Sequence, residues 1–466
     1  MRLRRGFTQP ASALAGATLT VYLLVVVGAT ASLADAAQAC STWPLCSGTV
    51  TDPGMAVALG HRLLAVLAGL AVIWATVLSF RGDTPAGVRA ASLVATLLYP
   101  AQIGVGALLA TGATTLPVPG FHLGIGLTIF ATLILALAWQ LEYETGSTDR
   151  PVSPEEVDPA PTETTVRRDG QHADSSLIGE IKLRSRAYFR WMKPRLMWLL
   201  CLVAAAAMAL AAGSSLSVWT IVFTLGGGVL AIGASGTFNN VLERETDEKM
   251  ERTNDRPLVT HQIPKRNAIA FGLILTALSI GAFLQLNPLT AALGLTAILF
   301  YSIIYTLVLK PNTVQNTVIG GVAGSLPALI GWAAVTGRID VAGVVLAGVI
   351  FVWTPAHFYN LALAYKEDYA RGGFPMMPVV RGETTTRKHI LLWLGLTLAT
   401  TTLLLWITHL GWLAAATTTV LGGIFLWATI RLHREQTEQA AFRAFHASNA
   451  YLGLLLVAIV VDALAF

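Results

Sequence analysis

The strongest constraint on this chain is a succession of apolar segments, each close to the ~20 residues an α-helix needs to cross a bilayer. Four run at about 12–33, 60–80, 88–110 and 120–141. After a gap, nine more fall near 194–213, 215–237, 267–286, 289–309, 315–336, 340–361, 389–408, 411–430 and 448–466. Inside hydrocarbon no backbone N–H or C=O can stay unpaired, so segments of this length fold as helices that satisfy their own ladders. Composition agrees. Hydrophobic residues make up 54% and charged residues only 12%, against roughly 25% charged in soluble domains. The expected fold is an all-α polytopic membrane protein, a four-helix transmembrane bundle followed by a nine-helix one.

The gap between the blocks, from 142 to about 176, is rich in Pro, Glu, Asp, Thr and Ser and reads as a flexible linker. The expected domains are therefore 1–141, a linker at 142–187, and 188–466. The net charge of +5 does not point to nucleic acid, because the cations sit in short loops where they set topology. Arg2, Arg4 and Arg5 place the N-terminus in the cytoplasm. Arg81 and Arg89 fall in the next cytoplasmic connection, whereas loops 34–59 and 111–119 carry no Lys or Arg. Four crossings return the linker to the cytoplasm, ahead of Lys182, Arg184, Arg186, Arg190, Lys193 and Arg195. In the second block the loop after Asn239, the turn at Lys310, and loops 366–388 and 431–443 alternate with nearly uncharged connections, Arg338 being the exception. The chain is thus expected to be multi-pass in the cell membrane, in contact with membrane lipid, with its charged loops on the cytoplasmic side. The N-terminal MRLRR, an apolar stretch and Ala37-Gln38-Ala39 also have the outline of a cleaved signal. The apolar stretch is longer than such signals carry, so a retained first helix is expected.

The most chemically loaded stretch is 239–258, NNVLERETDEKMERTNDRPL. Asn239, Glu243 and Asp247 recur every four residues, so a helix running on from the preceding span puts them on one face. Glu245 and Glu251 add carboxylates, and Lys249, Arg252, Arg256, Lys265 and Arg266 follow. Hard oxygen ligands suit magnesium, and Arg and Lys suit the phosphates it bridges. An ordinary solvated loop of mixed charge would carry similar residues. A second loop, AHFYNLALAYKEDYARGGFPMMPVVRGETTTRKH, holds Lys366, Glu367, Asp368 and Arg371 on the same predicted side. Carboxylates could also form the cation site of a transporter. Such sites lie near the midplane on broken helices, whereas these residues lie at segment ends.

The second block resembles the UbiA-type membrane prenyltransferases and, within them, the haem O synthases (protoheme IX farnesyltransferases). The resemblance covers about 188–466. It rests on Asn239, Glu243, Glu245 and Asp247 followed by Met250, Arg252, Thr253, Arg256 and Pro257; on Lys193-Pro194-Arg195; on YTLVLKPNTVQNTVIGGVAGSLPALIGWAAVTG; and on WTPAHFYNLAL and EDYARGGFPMMPVV. Glu243 and Glu245 stand where that family usually has Asp, and Ala356 and Tyr359 replace what are commonly Pro and Trp. The resemblance implies that farnesyl diphosphate is joined to a vinyl group of haem B, with Mg2+ as cofactor. It implies catalytic roles for Asn239, Glu243, Asp247, Glu367 and Asp368, with Mg2+ held by Asn239, Glu243, Asp247 and Asp368. Lys193, Arg195, Lys249, Arg252 and Arg256 become diphosphate-clamp candidates, although Lys193 and Lys249 also fit as topology anchors. His357 becomes a candidate for haem iron or a propionate, or a merely hydrogen-bonded imidazole. A quinone or lipid acceptor is the alternative substrate class.

The first block offers His61 in GHRLLAVLAGL and His122 in FHLGIG. They are two interfacial histidines or a bis-histidine haem site. Cys40 and Cys46 face the outer side, where a disulfide can form. These features resemble one half of haem A synthase, in which a Cys-x-x-Trp-Pro-x-Cys loop precedes a helix bearing His-Arg and a second His opens the fourth helix. That family commonly has Glu three residues before the first His; here it is Ala58. The resemblance implies haem b in this block, which would oxidise haem O or hand haem over. It also implies an oligomer restoring the missing half, and haem A synthase or terminal oxidase assembly factors as partners.

Overall fold

The computed structural model describes residues 9–31, 40, 42–44, 52–112, 118–152, 157, 188–189, 191–254, 256, 258–260 and 264–465, with Ala31 and Arg195 described by backbone alone. Among these residues thirteen helices are long and apolar enough to span a membrane. They are α1 Gln9–Ala31, α2 Pro53–Arg81, α3 Ala86–Thr111, α4 Val118–Thr145, α5 Pro194–Ala212, α6 Val218–Leu242 and α7 Lys265–Leu284. Then come α8 Pro288–Asn312, α9 Asn316–Thr336, α10 Val341–Ala364, α11 Glu383–Thr408, α12 Trp412–Glu435 and α13 Glu438–Ala465. The thirteen spans read from hydropathy, four before the gap and nine after it, are all found among the described residues.

The termini explain where hydropathy misplaced the boundaries. α2 starts at Pro53 rather than 60, because Asp52 caps it by accepting from Gly54 N at 3.1 Å and Pro53 fits the first turn. His61 therefore lies two turns inside the helix. α4 runs on through Glu142 to Thr145, four residues into the expected linker, where Lys388 pairs with Glu142 at 2.7 Å. α8 is not a plain α-helix. Asn287 caps its start, but Phe300–Leu309 winds as a π-helix, a rare form that recurs at functional sites.

The chain divides into two compact units. One comprises Met1–Thr148 with Arg387–Asp462; the other comprises Asp149–Thr386 with Ala463–Ala465. In the first unit α1 packs on α2, α4 and α12, and α3 packs on α4. A buried polar chain crosses it: Tyr22 OH to Thr418 Oγ1 at 2.9 Å, Thr418 Oγ1 to Tyr451 OH at 3.1 Å, and Tyr451 OH to Thr401 Oγ1 at 2.9 Å. α1, α12, α13 and α11 are thereby joined. In the second unit α6 packs on α7, α9 on α10, and α5 on α9. Leu275, Phe283, Ala291 and Ile298 form part of its core.

Linker residues also join this second unit. Val152 N donates to Val379 O at 2.9 Å. Asp149 accepts from Thr384 N and Thr385 N at 3.2 and 3.0 Å. Val152 and Val157 pack against Met250, Tyr369 and Phe374. The start of the expected flexible linker is thus docked, because a few well-spaced groups in it find partners.

Candidate active site

The face predicted for Asn239, Glu243 and Asp247 exists, although the long helix ends at Leu242. Glu243 takes the cap position and a short helix Arg244–Asp247 follows. The i→i−4 bonding continues across this junction, with Glu243 N donating to Asn239 O at 2.9 Å and Asp247 N to Glu243 O at 2.8 Å. All three side chains are buried. Glu245 and Lys249, off that face, are exposed.

Each buried acceptor meets its own cation. Lys193, whose left-handed backbone stands just before α5, donates to Asn239 Oδ1. Asn239 Nδ2 in turn donates to Thr306 Oγ1 at 3.0 Å. Lys310 Nζ donates to Glu243 Oε1 at 2.6 Å. Arg256 donates to Asp247 Oδ2, while Asp247 Oδ1 is buried without a partner. Burial opposes the Glu243 charge, but Lys310 and Lys193 outweigh it and hold its carboxyl below the usual range. At Asp247 burial wins over Arg256 and the carboxyl is pushed up. Burial, helped by Arg256, depresses the Lys193 ammonium to about 8.

The second acidic loop does different work from its first. Glu367 is exposed. Asp368 is buried and turned toward the first loop, accepting from Glu251 N at 2.9 Å, Arg252 N at 3.4 Å and Arg371 at 2.8 Å. The Arg252 guanidinium lies over the Tyr369 and Tyr365 rings at 4.3 and 5.0 Å. Asp368 therefore ties the two loops together, its oxygens engaged by protein donors. His357 is buried in α10, stacked on Trp353 at 4.2 Å. The side chain of Arg195 lies outside the described residues.

Lys310, Thr306, Tyr301 and Tyr305 were not singled out from the sequence. Lys310 reads as a topology charge and as part of a stretch that carries the resemblance, without a role at the site. The signal for Tyr305, Thr306 and Lys310 was the run YTLVLKPN, which marks the end of a span with a lysine at its edge; Tyr301 lies one turn before it. The π-helix is what aims them: Tyr301 and Tyr305 stack at 5.5 Å, and Lys193 lies 5.8 Å over Tyr301. Beyond them an apolar cavity opens between α5, α6, α8 and α9, walled by Leu200, Ala231, Pro327 and Ile330, with Lys193 and Tyr301 in its lining.

In the first unit His61 and His122 converge, ring centres 6.5 Å apart. They line a pocket of about 340 Å3 with Tyr99, Gln102 and Trp43. Gln102 Nε2 lies 3.4 Å from His122 Nε2, and both Nδ1 atoms are buried without partners. Ala58 also lines the pocket. Arg62 donates to the carbonyls of Thr42, Pro44 and Cys40 at 2.8, 3.0 and 3.2 Å. Cys40 is disulfide-bonded and Cys201 is free; Cys46 lies outside the described residues. Among the described residues no group of three or more His, Cys, Asp or Glu is placed to hold a metal ion.

The UbiA prenyltransferase family model matches residues 199–455. The protoheme IX farnesyltransferase of Haloarcula marismortui is 60% identical over 457 residues, covering 97% of this chain and 98% of that protein. Protoheme IX farnesyltransferase 1 of Natronomonas pharaonis is 60% identical over 455 residues, covering 97% and 98%. A solved structure described as concerning digeranylgeranylglyceryl phosphate synthase in membranes covers 60% of this chain and 99% of its own, with a TM-score of 0.52 at 15% identity; that likeness concerns the fold. An all-α multi-pass bundle with a cation-matched acidic basin opening on an apolar cavity is, with these relatives, a membrane prenyltransferase. The chain belongs to the UbiA prenyltransferase family.

Proposed function

We propose that the protein transfers the farnesyl group of farnesyl diphosphate to a vinyl group of haem B, giving haem O. The observation that carries the proposal is the buried basin in which Asn239, Glu243 and Asp247 each meet a cation, one of which, Lys193, also lines an apolar cavity. Basin and cavity lie within the compact unit Asp149–Thr386. The acceptor identity is supported by relatives that carry that activity in their names.

The basin suits a metal-bound diphosphate. Mg2+ takes one or two protein carboxylates and fills its remaining positions with water and phosphate oxygens, so the absence of a three-carboxylate cluster does not count against it. The unpartnered Asp247 Oδ1 is an open oxygen of the right kind, with Glu243 and the Asn239 carbonyl beside it. When bound, the ion would neutralise charge developing on the diphosphate. Lys310 and Arg256 stand where they can release their carboxylates, and Lys193 the Asn239 amide oxygen, to close on phosphate oxygens. The cavity wall takes the isoprenoid chain. As the allylic C–O bond breaks, the diphosphate leaves with the bonding pair. The wall keeps water from the cation until the vinyl carbon attacks. Water then adds to the haem-side cation, a proton is lost, and a hydroxyethylfarnesyl group remains. Asp368 holds the two loops in register for this.

In the first unit the same reading gives His61 and His122 a haem b. Two imidazoles are too few ligands for a bare metal ion, so the metal they hold must bring its remaining donors, as a porphyrin does. His61 and His122, their ring centres 6.5 Å apart, would be the residues that hold the haem iron. Among the described residues no carboxylate lines this pocket, and Ala58 occupies the position where the haem A synthase-like motif has Glu. Haem binding or handover therefore fits this unit better than oxidation of haem O. Sidedness follows the Lys and Arg distribution, with both acidic loops cytoplasmic.

The test is expression in a host lacking haem O and haem A synthases, followed by chromatography of extracted haems. Haem O alone is expected. Haem A would show that the first unit oxidises. Only haem B, from folded protein with substrates present, would overturn the reading.

A further inference from the structure

Two glycines face the two histidines in matching geometry. A Cβ on Gly28 would meet His61 Cε1 at 3.0 Å, Nδ1 at 3.7 Å and Nε2 at 3.8 Å. A Cβ on Gly106 would meet His122 Cε1, Nδ1 and Nε2 at the same three distances. Gly28 lies on α1 against α2, and Gly106 on α3 against α4. The arrangement is thus repeated in two helix pairs, although the sequence separations are different. Of the other glycines on the same helices, Gly87 on α3 would meet the Trp139 ring at 3.1 Å, and no histidine. A Cβ at Gly16 on α1 or at Gly104 on α3 would meet nothing within 4 Å.

An imidazole that ligates iron must present one nitrogen along a fixed line, and ring tilt is set by what packs on its face and edge. A hydrogen bond from the far nitrogen usually does this. Neither Nδ1 has a partner here, although both are buried. Gln102 Nε2 lies 3.4 Å from His122 Nε2, but no such contact is found for His61 among the described residues, so steric contact is the means common to both rings. We propose that Gly28 and Gly106 are positioning residues that seat His61 and His122 as an axial pair, each glycine admitting one ring against its helix backbone. This rests on the haem reading of the first unit. An added methyl pushes each ring away by a few tenths of an ångström, because a 3.0 Å carbon contact is too short. A valine pushes it further and takes the nitrogen off the iron.

The test uses the full chain, purified and supplied with haem b, and reads the absorption and electron paramagnetic resonance spectra. Wild type is expected to give a low-spin signal that His61→Ala and His122→Ala abolish. Gly28→Val and Gly106→Val are each expected to convert it to high-spin or lose the haem, with Gly28→Ala and Gly106→Ala intermediate. Gly16→Val and Gly104→Val are expected to leave it unchanged. Haem O formation by the other unit reports that each variant has folded. If Gly28→Val and Gly106→Val keep the wild-type low-spin signal at full occupancy, the positioning role is wrong. If wild type gives no low-spin signal that depends on His61, the haem reading itself fails, which is a separable result.

Discussion

Glu243 and Lys310 sit together at 2.6 Å with side chains 6% and 11% exposed, so removing one leaves the other charged and buried. Breaking such a pair costs roughly 3–5 kcal/mol. Lys310→Ala is expected to lower the thermal midpoint and to reduce haem O formation by about 10²-fold or more, since a preorganised cation facing the leaving group is lost. Asp368→Ala releases two backbone N–H groups and Arg371 and is expected to raise KM for farnesyl diphosphate through loop disorder. Glu367→Gln and Lys249→Ala alter exposed side chains and are expected to stay within about 0.5 kcal/mol of wild type, with unchanged turnover; a large loss in either would return those residues to the site. The four-residue spacing made Asn239, Glu243 and Asp247 legible in the sequence. Which of Glu367 and Asp368 turns inward was not, because adjacent residues on a short helix differ only in rotation, and tertiary contacts fix that. Lys310 was hidden for another reason. A lysine at a span edge satisfies the topology rule whether or not it meets a carboxylate.

At the scale of elements, hydropathy located the spanning helices, but hydrogen bonds between them had no signature. Thr401 and Thr418 look like ordinary threonines in apolar runs, yet they complete the chain from Tyr22 to Tyr451. Interhelical hydrogen bonds in membranes average about 0.6 kcal/mol. Thr418→Val removes a shared hydroxyl and is expected to cost roughly 1–2 kcal/mol, measurable as a lowered midpoint of detergent-solubilised protein. Docking of the linker start was equally invisible, since Asp149, Val152 and Val157 are isolated in a polar stretch. Asp149 is partly buried, which opposes its charge, but the Thr385 and Thr384 N–H groups win and hold the carboxyl below the usual range. Its contribution is thus fully present above about pH 4 and is lost as pH falls through the lower folded value. Asp149→Ala is expected to cost about 1 kcal/mol and to speed amide exchange at Thr384 and Thr385 at neutral pH. Wild type should show that loss of protection only in acid.

For the whole molecule, the match to the prenyltransferase family ends at 455, yet residues 387–462 form one compact unit with the N-terminal four helices. Within that unit α12 is covered by α1 and α4, and Gly395 of α11 lies against Ile134. Deleting Met1–Thr148 is therefore expected to uncover apolar and hydroxyl-bearing faces of α11 and α12. The truncated chain should show a lower midpoint and more aggregation even though the prenyl-transfer residues are intact. Equal stability of the truncated and full chains would contradict that dependence. Composition could not reveal it, because a helix face packed on protein and one packed on lipid are equally apolar.

The paired acids and bases of the basin bear on ionic strength. In 1 M salt the Debye length is about 3 Å, so attraction between exposed charges is largely screened before it can guide a ligand. The pair of Glu243 and Lys310 is buried and closer than that, and salt has little room to act on it. On the proposed reading, incoming diphosphate and metal would exchange partners with charges already in place instead of being drawn from a distance. Affinity for farnesyl diphosphate should consequently change little between dilute buffer and molar salt, which binding measured across that range checks.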